Sequence, residues 1–143
     1  MILVRKMNAE DVEKVYSLGN REQTFEAGGS GKIFWSLEQL KNWLKSNDIL
    51  LVAEENGKIV GFLLTQFHNP TGKMVIENLY VDVDYRKMGV GGNLVSAFLG
   101  YLPSMGVEYI CALIEEENKI IAKLLEKNGF KKGKKMFWMD KTI

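Results

Sequence analysis

The sequence is poor in residues on which several kinds of protein depend. Cys111 is the single cysteine among 143 residues, which excludes an internal disulfide and a metal site built on several thiolates. No stretch approaches the roughly 20 apolar residues of a membrane span, and the apolar start of the chain is too short for a signal peptide. We therefore expect a soluble protein of the reducing cytoplasm, without a metal.

The charge balance is also close to neutral. The chain has 19 Lys and Arg against 18 Asp and Glu, a formal charge of +1, so no global field attracts nucleic acid or an anionic membrane. Hydrophobic residues make up 46% and charged residues 26%, which is ordinary for a globular protein. The length matches one domain. We expect a single domain over residues 1–143, with neither nucleic acid nor a membrane as partner.

Hydrophobic periodicity predicts an α/β fold with the element order β-α-α-β-β-β-α-β-α-β. The irregular stretch from 19 to 31, which contains several glycines, interrupts this pattern and reads as a loop. Asn56-Gly57 lies between two apolar runs and is typical of a hairpin turn. Strands are expected at 2–5, 49–54, 59–67, 74–81, 107–114 and 136–140.

Four helices are expected between these strands. Asn8, Ser36 and Asn118 are suitable N-cap residues, and the third helix follows a glycine-rich loop and ends before Pro103. The fourth helix is predicted to turn Ile120, Ile121, Leu124 and Leu125 inward and to end at Gly129. An exposed edge of the sheet would allow a homodimer.

The most informative segment is the glycine-rich loop between a strand and the third helix. Glycines let backbone N–H groups face a ligand, and the helix start adds unpaired N–H groups and a positive dipole end. An anion is the natural guest, with Arg86 and Lys87 adding charge at the rim. A tight strand-to-helix turn with a solvated Arg-Lys pair explains the same residues. The pattern fits neither a P-loop, since no Gly-Lys-Ser/Thr follows, nor the Rossmann loop, which needs glycine at Leu94.

The loop resembles the signature of the GNAT (GCN5-related N-acetyltransferase) superfamily. Its pattern, Gln/Arg-x-x-Gly-x-Gly/Ala after a strand, is met by Arg86-x-x-Gly89-x-Gly91. Asn118 and Gly129-Phe130 are similar to the family's second motif. The resemblance implies a GNAT-type acyl-CoA N-acyltransferase fold, with a mixed central sheet and about four flanking helices.

The resemblance also implies an N-acetyltransferase with acetyl-CoA as cosubstrate. Loop amides would bind the CoA pyrophosphate, the strand ending at Val81 would pair with the pantetheine arm, and the acetyl group would lie between splayed strands near Leu79 and residues 111–114. The candidate acetyl-CoA ligands are Leu79, Tyr80, Val81, Arg86, Lys87, Met88, Gly89, Val90, Gly91, Gly92 and Asn118.

Glu77 is the leading candidate base. A lysine-like amine has a pKa of about 10.4, so acetyl transfer needs a group that takes a proton. Strand alternation predicts Glu77 on the face of Leu79 and Val81, where partial burial would raise its pKa. The segment also resembles the diamine acetyltransferase branch, in which a glutamate here is a proposed base. A salt-bridged or exposed carboxylate is the structural alternative.

The general acid is less defined. Family members often use a tyrosine in the second-motif helix, but Leu125 stands at that position. Tyr80 or Tyr85 are candidate replacements, and packing is the alternative role for both. A thiol has a pKa of about 8.5, so its thiolate can leave without a protein acid. Cys111 is expected to be structural, because the single histidine, His68, falls in a hairpin loop.

The acceptor amine stays open among polyamines, peptide N-termini, lysine side chains, amino acids and antibiotics. Acidic and aromatic residues around the irregular loop are candidate acceptor ligands, although a solvated loop beside the core explains them too. Asn78 stands where the diamine branch often has an acid, which weakens a polyamine assignment. A non-catalytic acyl-CoA sensor and an unrelated nucleotide-binding domain are the alternative functions. The acceptor candidates are Glu22, Phe25, Glu26, Phe34 and Trp35.

Overall fold

A computed structural model of the protein describes residues 1–21, 34–141 and 143. Within this part of the chain, five β-strands and four α-helices are joined by turns and short 3-10 segments. In chain order they are β1 (Leu3–Lys6), α1 (Val12–Arg21), α2 (Leu37–Trp43), β2 (Leu50–Glu55), β3 (Lys58–His68), β4 (Lys73–Val81), α3 (Val90–Tyr101), β5 (Tyr109–Ala112) and α4 (Lys119–Lys127).

The five strands form one mixed sheet in the order β1-β2-β3-β4-β5. The strands β1 to β4 pair antiparallel with one another, and β5 pairs parallel with β4. Parallel neighbours require a crossover connection, and α3 provides it between β4 and β5. The sheet and its helices confirm the α/β class and the mixed sheet with four helices that the sequence predicts.

Each face of the sheet has its own hydrophobic core. Leu94, Val95 and Phe98 of α3 pack with Leu125 of α4 on one face. Val12 and Val15 of α1 pack with Leu40 of α2 on the other. The sheet is therefore the central layer of three, and its strands bury side chains on both faces.

Local signals in the sequence correctly predict three helix N-caps and one hairpin turn. The side chains of Asn8 and Ser36 each accept a backbone N–H in a capping box, and Asn118 accepts one from Ile121 at 3.3 Å. Asn56 and Gly57 both have positive φ, 50° and 76°, as the predicted hairpin turn requires.

Three expectations about the second half of the chain are wrong. Residues 136–140 do not form a strand, and the strand predicted at 107–114 is shortened to Tyr109–Ala112. Ile120 was expected inward with the apolar side of α4, but it is 75% exposed. Helical periodicity identifies the apolar residues of α4, whereas which of them meets the sheet is decided by how α4 docks.

Candidate active site

The glycine-rich loop forms an open start to α3. Gly89 is the N-cap, with φ at 81°, and no side chain caps the helix. The first intrahelical hydrogen bond runs from Asn93 N to Gly89 O at 3.0 Å, so the N–H groups of the preceding residues have no helical partner. A Cβ at Gly89 would meet nothing within 4 Å. The space above these N–H groups therefore suits an anionic ligand.

The next two glycines hold the start of α3 close to α4. A Cβ at Gly91 would lie 2.9 Å from a Leu124 methyl and 3.8 Å from a Val81 methyl. A Cβ at Gly92 would approach Leu124 no closer than 3.9 Å. A side chain at Gly91 would therefore crowd the Leu124 methyl, which would have to shift. The two helices and the end of β4 meet beside the loop.

Pairing between β4 and β5 stops before the ends of the strands. The pairs run from Lys73↔Tyr109 to Ile76↔Ala112, which leaves the last five residues of β4 beyond the shared register. The family resemblance implies a separation of the strands near Leu79 and residues 111–114. In the structure Cys111 and Ala112 are still paired, and only Leu113 and Ile114 lie past the last pair. The two strands therefore separate after Ile76, and this opening lies at the end of β4 from which the chain continues into the glycine-rich loop.

A β-bulge interrupts β4 at Glu77. Leu64 pairs with Asn78 and the next residue of β3, Thr65, pairs with Ile76, so Glu77 is the extra residue. Ile76 and Leu79 pack in the same core although they are three residues apart. Simple alternation therefore does not run through Glu77, and the reason given for placing it on the face of Leu79 is wrong.

The Glu77 carboxyl is exposed to solvent, yet the neighbouring protein surface removes part of its hydration. Desolvation raises the pKa of Glu77 above its ordinary value. The predicted direction of this shift is confirmed. A carboxylate at a bulge beside an opening in the sheet combines access to solvent with increased basicity, as a base needs.

Tyr80 lies in the core on the α1 and α2 face. It is 3% exposed and stacks on Phe62, with ring centroids 5.5 Å apart. The Arg86 guanidinium lies 5.7 Å from the Tyr80 ring centroid, and its Nε donates to Val81 O at 2.9 Å. Arg86 therefore turns back toward the end of β4 instead of extending from the loop. Lys87 adopts a left-handed conformation, with φ at 63°.

Asp82 anchors the point where β4 meets the loop. Its side chain is fully buried and accepts a hydrogen bond from Arg21 at 3.1 Å, with Lys58 Nζ at 3.9 Å. Its backbone N–H donates to Val60 O at 2.8 Å. Asp82 is not among the residues that the sequence predicts for the site. Its role in joining α1, β3 and the loop depends on contacts as far as 61 residues apart, which local pattern does not reveal.

Asn78 carries a second contact that the sequence did not indicate. Its Oδ1 accepts a hydrogen bond from Trp35 Nε1 at 2.6 Å, and Asn78 is 9% exposed. Trp35 also packs edge-on against Trp43, with centroids 4.7 Å apart. The residues before α2 are thereby fixed to β4 next to Glu77.

The other residues that the sequence analysis considered for the site lie in different parts of the fold. Leu125 is 4% exposed within the core, while Cys111 is half-buried in β5. His68 is the last residue of β3 and not part of the hairpin loop as expected, and its Nδ1 lies 2.7 Å from Thr71 Oγ1. Phe34 packs against Phe62. The candidate acceptor residues Glu22, Phe25 and Glu26 lie outside the described residues.

Comparison with known proteins agrees with this geometry. The model of the acetyltransferase (GNAT) family matches residues 12–130. The chain belongs to this family. The GNAT domain is 27% identical over 136 residues to the uncharacterized N-acetyltransferase YhfO of Bacillus subtilis, covering 89% of this chain and 88% of YhfO. The chain is thus an acetyltransferase, and acetyltransferases of this family use acetyl-CoA.

More specialised relatives match over a shorter length. The mycothiol acetyltransferase of Amycolatopsis mediterranei is 33% identical over 100 residues, which are 65% of this chain and 33% of that protein. The GNAT domain therefore spans about a third of the mycothiol acetyltransferases that it matches.

Solved structures share the fold. AAC(6')-Iy, in complex with the bisubstrate analog CoA-S-monomethyl-acetylneamine, superposes with a TM-score of 0.80 at 18% identity over 100% of this chain and 99% of that one. The ribosomal-protein-alanine N-acetyltransferase of Brucella melitensis gives 0.77 at 22% identity over 90% and 84%. Within residues 1–21, 34–141 and 143, none of the helices has the length and apolarity needed to cross a bilayer, and no group of three or more potential metal ligands occurs there.

Proposed function

We propose that this GNAT domain transfers the acetyl group of acetyl-CoA to a primary amine by direct attack of the amine on the thioester. One observation carries the proposal. The open, uncapped start of α3 at Gly89 follows β4 after the connection 82–88, and the last residues of β4 extend beyond the pairing with β5. An anion-binding helix start is thereby adjacent to an opening in the sheet that can admit an extended chain.

The loop residues supply the binding site for the CoA diphosphate. The N–H groups of Val90, Gly91 and Gly92 donate to phosphate oxygens, and Gly89 leaves room for them because it has no side chain. Hydrogen bonds to charged groups contribute about 1.5 to 3 kcal/mol each, so three suffice without a metal. Leu79, Tyr80 and Val81 offer backbone groups to the pantetheine arm, while Arg86, Lys87, Met88 and Asn118 frame the site.

Glu77 serves as the base, directly or through water. The protonated amine loses one proton to the Glu77 carboxylate, and its nitrogen forms a bond to the thioester carbonyl carbon. The nitrogen then loses a second proton to water as the bond from that carbon to sulfur breaks. The electron pair leaves with sulfur as CoA thiolate. A raised pKa makes Glu77 a better proton acceptor than an ordinary surface carboxylate.

The thiolate leaves without a protein acid in the second-motif helix. Leu125 is buried and apolar, and water protonates the thiolate, whose conjugate acid has a pKa of about 8.5. Tyr80, the candidate acid from the sequence, is stacked on Phe62 and 3% exposed. This burial favours packing as its role.

The acceptor is a small-molecule or peptide amine. Matched proteins include mycothiol acetyltransferases, an aminoglycoside acetyltransferase and a ribosomal-protein-alanine N-acetyltransferase, which all modify amines of different size. Phe34 and Trp35, which directly precede the N-cap of α2, provide aromatic surface. We propose that the acceptor amine binds on the side of Glu77 where Phe34 and Trp35 lie.

The function is tested by CoA release from acetyl-CoA with an amine panel of polyamines, aminoglycosides, amino acids and peptides with free N-termini. Acetylated product with at least one class, formed about 10²- to 10⁴-fold more slowly by Glu77→Gln, supports the proposal. Asp84→Asn provides a control at an exposed carboxylate outside the opening. Tight acetyl-CoA binding with no product from any amine would instead identify a non-catalytic acyl-CoA sensor, the alternative that Leu125 favours.

A further inference from the structure

Asn78 lies on the face of β4 that packs against α1 and α2. It pairs with Leu64 of β3, whose side chain lies in the core between the sheet and these two helices. Directly opposite residues of paired strands carry their side chains on the same face. Trp35, just before α2, contacts Asn78 from this face. The Asn78 side chain is therefore on the side of the sheet where we propose that the acceptor binds, one residue from Glu77.

The contact with Trp35 decides which end of the Asn78 amide is free. An indole N–H can only donate, so the amide atom 2.6 Å from Nε1 is the accepting oxygen, Oδ1. The NH2 group, which is a donor only, occupies the other end. Within the described residues, the bond from Trp35 is the single hydrogen bond of this side chain. Both N–H bonds of the amide are therefore available to a ligand.

The free NH2 group reaches the surface although Asn78 as a whole is only 9% exposed. Among the described residues, no buried side-chain nitrogen or oxygen lacks a hydrogen-bond partner. Because Nδ2 has no partner, it has to lie in the small part of Asn78 that solvent reaches. A polar group that protein surrounds so closely has lost most of its hydration. It therefore gains more from an acceptor on a ligand than a mobile surface amide does.

We propose that the Asn78 NH2 group binds an oxygen of the acceptor, a primary amine with a hydroxyl or carbonyl oxygen on the second carbon from its nitrogen. This inference rests on the proposed function, in which Glu77 takes a proton from the amine. Asn78 directly follows Glu77 in β4, and consecutive Cα atoms are about 3.8 Å apart. An amine bound at Glu77 thus brings an oxygen so close to its nitrogen beside Asn78. Amino alcohols, amino sugars, amino acids and peptide N-termini share this chemistry.

The same amide disfavours amines that lack such an oxygen. An alkylamine covers the NH2 group and leaves it without a partner, which weakens binding. The second ammonium group of a diamine is itself only a donor, and it meets the donor end of the amide because the accepting end faces Trp35. A neutral hydrogen bond changes a binding constant about two- to tenfold. Asn78 is therefore expected to discriminate by this factor among primary amines.

Asn78→Asp tests the inference, because it removes the donor and keeps an oxygen for Trp35. The kcat/KM is measured for ethanolamine and glycinamide, which carry a hydroxyl and a carbonyl oxygen, and for propylamine and 1,3-diaminopropane, which carry neither. Ratios between amines are compared in wild type and variant, since the basicity of each amine and any changed rate at Glu77 then cancel. We expect the preference for ethanolamine or glycinamide over propylamine to fall about two- to tenfold in Asn78→Asp. A fall for only one of them identifies a hydroxyl or a carbonyl as the bound group.

Asn69→Asp is the matched control for this substitution. Asn69 is exposed in the turn before β4, away from the opening in the sheet, so its variant should keep the wild-type ratios. Acetyl-CoA affinity, measured by calorimetry, should be the same in wild type and both variants. Product with unchanged ratios in Asn78→Asp would overturn this inference alone, whereas no product from any primary amine would overturn the proposed function as well.

Nitrogen-15 NMR of wild type follows the Asn78 side chain without any substitution. In protein loaded with CoA, ethanolamine or glycinamide should shift the NH2 resonances of Asn78, and propylamine at the same concentration should leave them unchanged. Equal shifts with propylamine, or no shift with either oxygen-bearing amine, would overturn the inference. This result does not depend on whether Asn78→Asp folds.

Discussion

The indole Nε1 of Trp35 donates a 2.6 Å hydrogen bond to Oδ1 of Asn78, joining the residues before α2 to β4 across 43 positions in the sequence. Asn78 is the residue after the bulge at Glu77. Because the amide oxygen is in a site only 9% exposed, water cannot readily replace the indole as donor. The bond therefore fixes the candidate base relative to the side of the site where we place the acceptor.

Replacing Trp35 with phenylalanine removes this donor and leaves most of the aromatic surface. We expect the free energy of unfolding to fall by about 1–3 kcal/mol, the cost of leaving a buried acceptor unpaired. Urea denaturation measures the change. Trp138→Phe, a similar substitution at a 64% exposed tryptophan, should leave stability near that of wild type. Equal stability of wild type and Trp35→Phe would show that the hydrogen bond contributes nothing net.

The pH dependence of activity tests the role of Glu77. A base must be deprotonated, so the rate is lost as pH falls through the pKa of Glu77. Because desolvation raises that pKa, the acid limb of kcat/KM should lie above the ordinary glutamate value of about 4.3. Glu77→Gln should remove this limb and lower kcat by about 10²- to 10⁴-fold, while acetyl-CoA binding is unchanged. A limb that persists in the variant would assign it to another group.

Gly91 and Gly92 form a matched pair for the packing of α3 on α4. Alanine improves helix propensity by about 1 kcal/mol at either position, but only at Gly91 does the new methyl crowd Leu124. Overpacking costs about 1–3 kcal/mol, so Gly91→Ala should be less stable than Gly92→Ala by that amount in thermal or urea unfolding. The same stability for both would mean that the Leu124 side chain moves aside freely.

The glycine-rich loop also shows which features of the structure the sequence can reveal. The positions Gly89 and Gly91 are recognisable from the loop pattern, and the caps at Asn8, Ser36 and Asn118 from local chemistry. The bulge at Glu77 is not, because it is defined by the pairing of β3 with β4. Likewise, the burial of Asp82 and the bond between Trp35 and Asn78 join residues far apart in the chain. Caps and turns were therefore predictable, whereas the strand expected at 136–140 does not form and the orientation of site residues depended on tertiary contacts.

Acid should weaken the fold through the pair formed by Arg5 and Asp11. Burial alone would raise the pKa of Asp11, but the hydrogen bonds from Arg5 and from Asn8 N–H and the charge of Arg5 lower it. Arg5 contacts the carboxylate at 2.7 and 2.9 Å. A carboxyl whose folded pKa is depressed stabilises the protein above its unfolded pKa, about 3.9 for aspartate, and this stability is lost as pH falls through the folded value.

Urea denaturation from pH 7 to pH 2 measures this contribution. Asp11→Asn should lose about 2 kcal/mol at pH 7 and show a shallower decline below pH 4 than wild type. Glu10→Gln, at the neighbouring exposed carboxylate, should follow the wild-type curve. A parallel decline in wild type and Asp11→Asn would assign the acid sensitivity to other carboxylates.

The central claim is that the start of α3 binds acetyl-CoA, and calorimetric titration of acetyl-CoA tests it most directly. Gly89 and Gly106 both have left-handed φ, 81° and 68°, and open space around a new side chain, so tryptophan strains both similarly while only Gly89→Trp fills the site. We expect wild type and Gly106→Trp to bind and Gly89→Trp to lose binding. No heat of binding in wild type, or equal affinity in wild type and Gly89→Trp, would contradict the account.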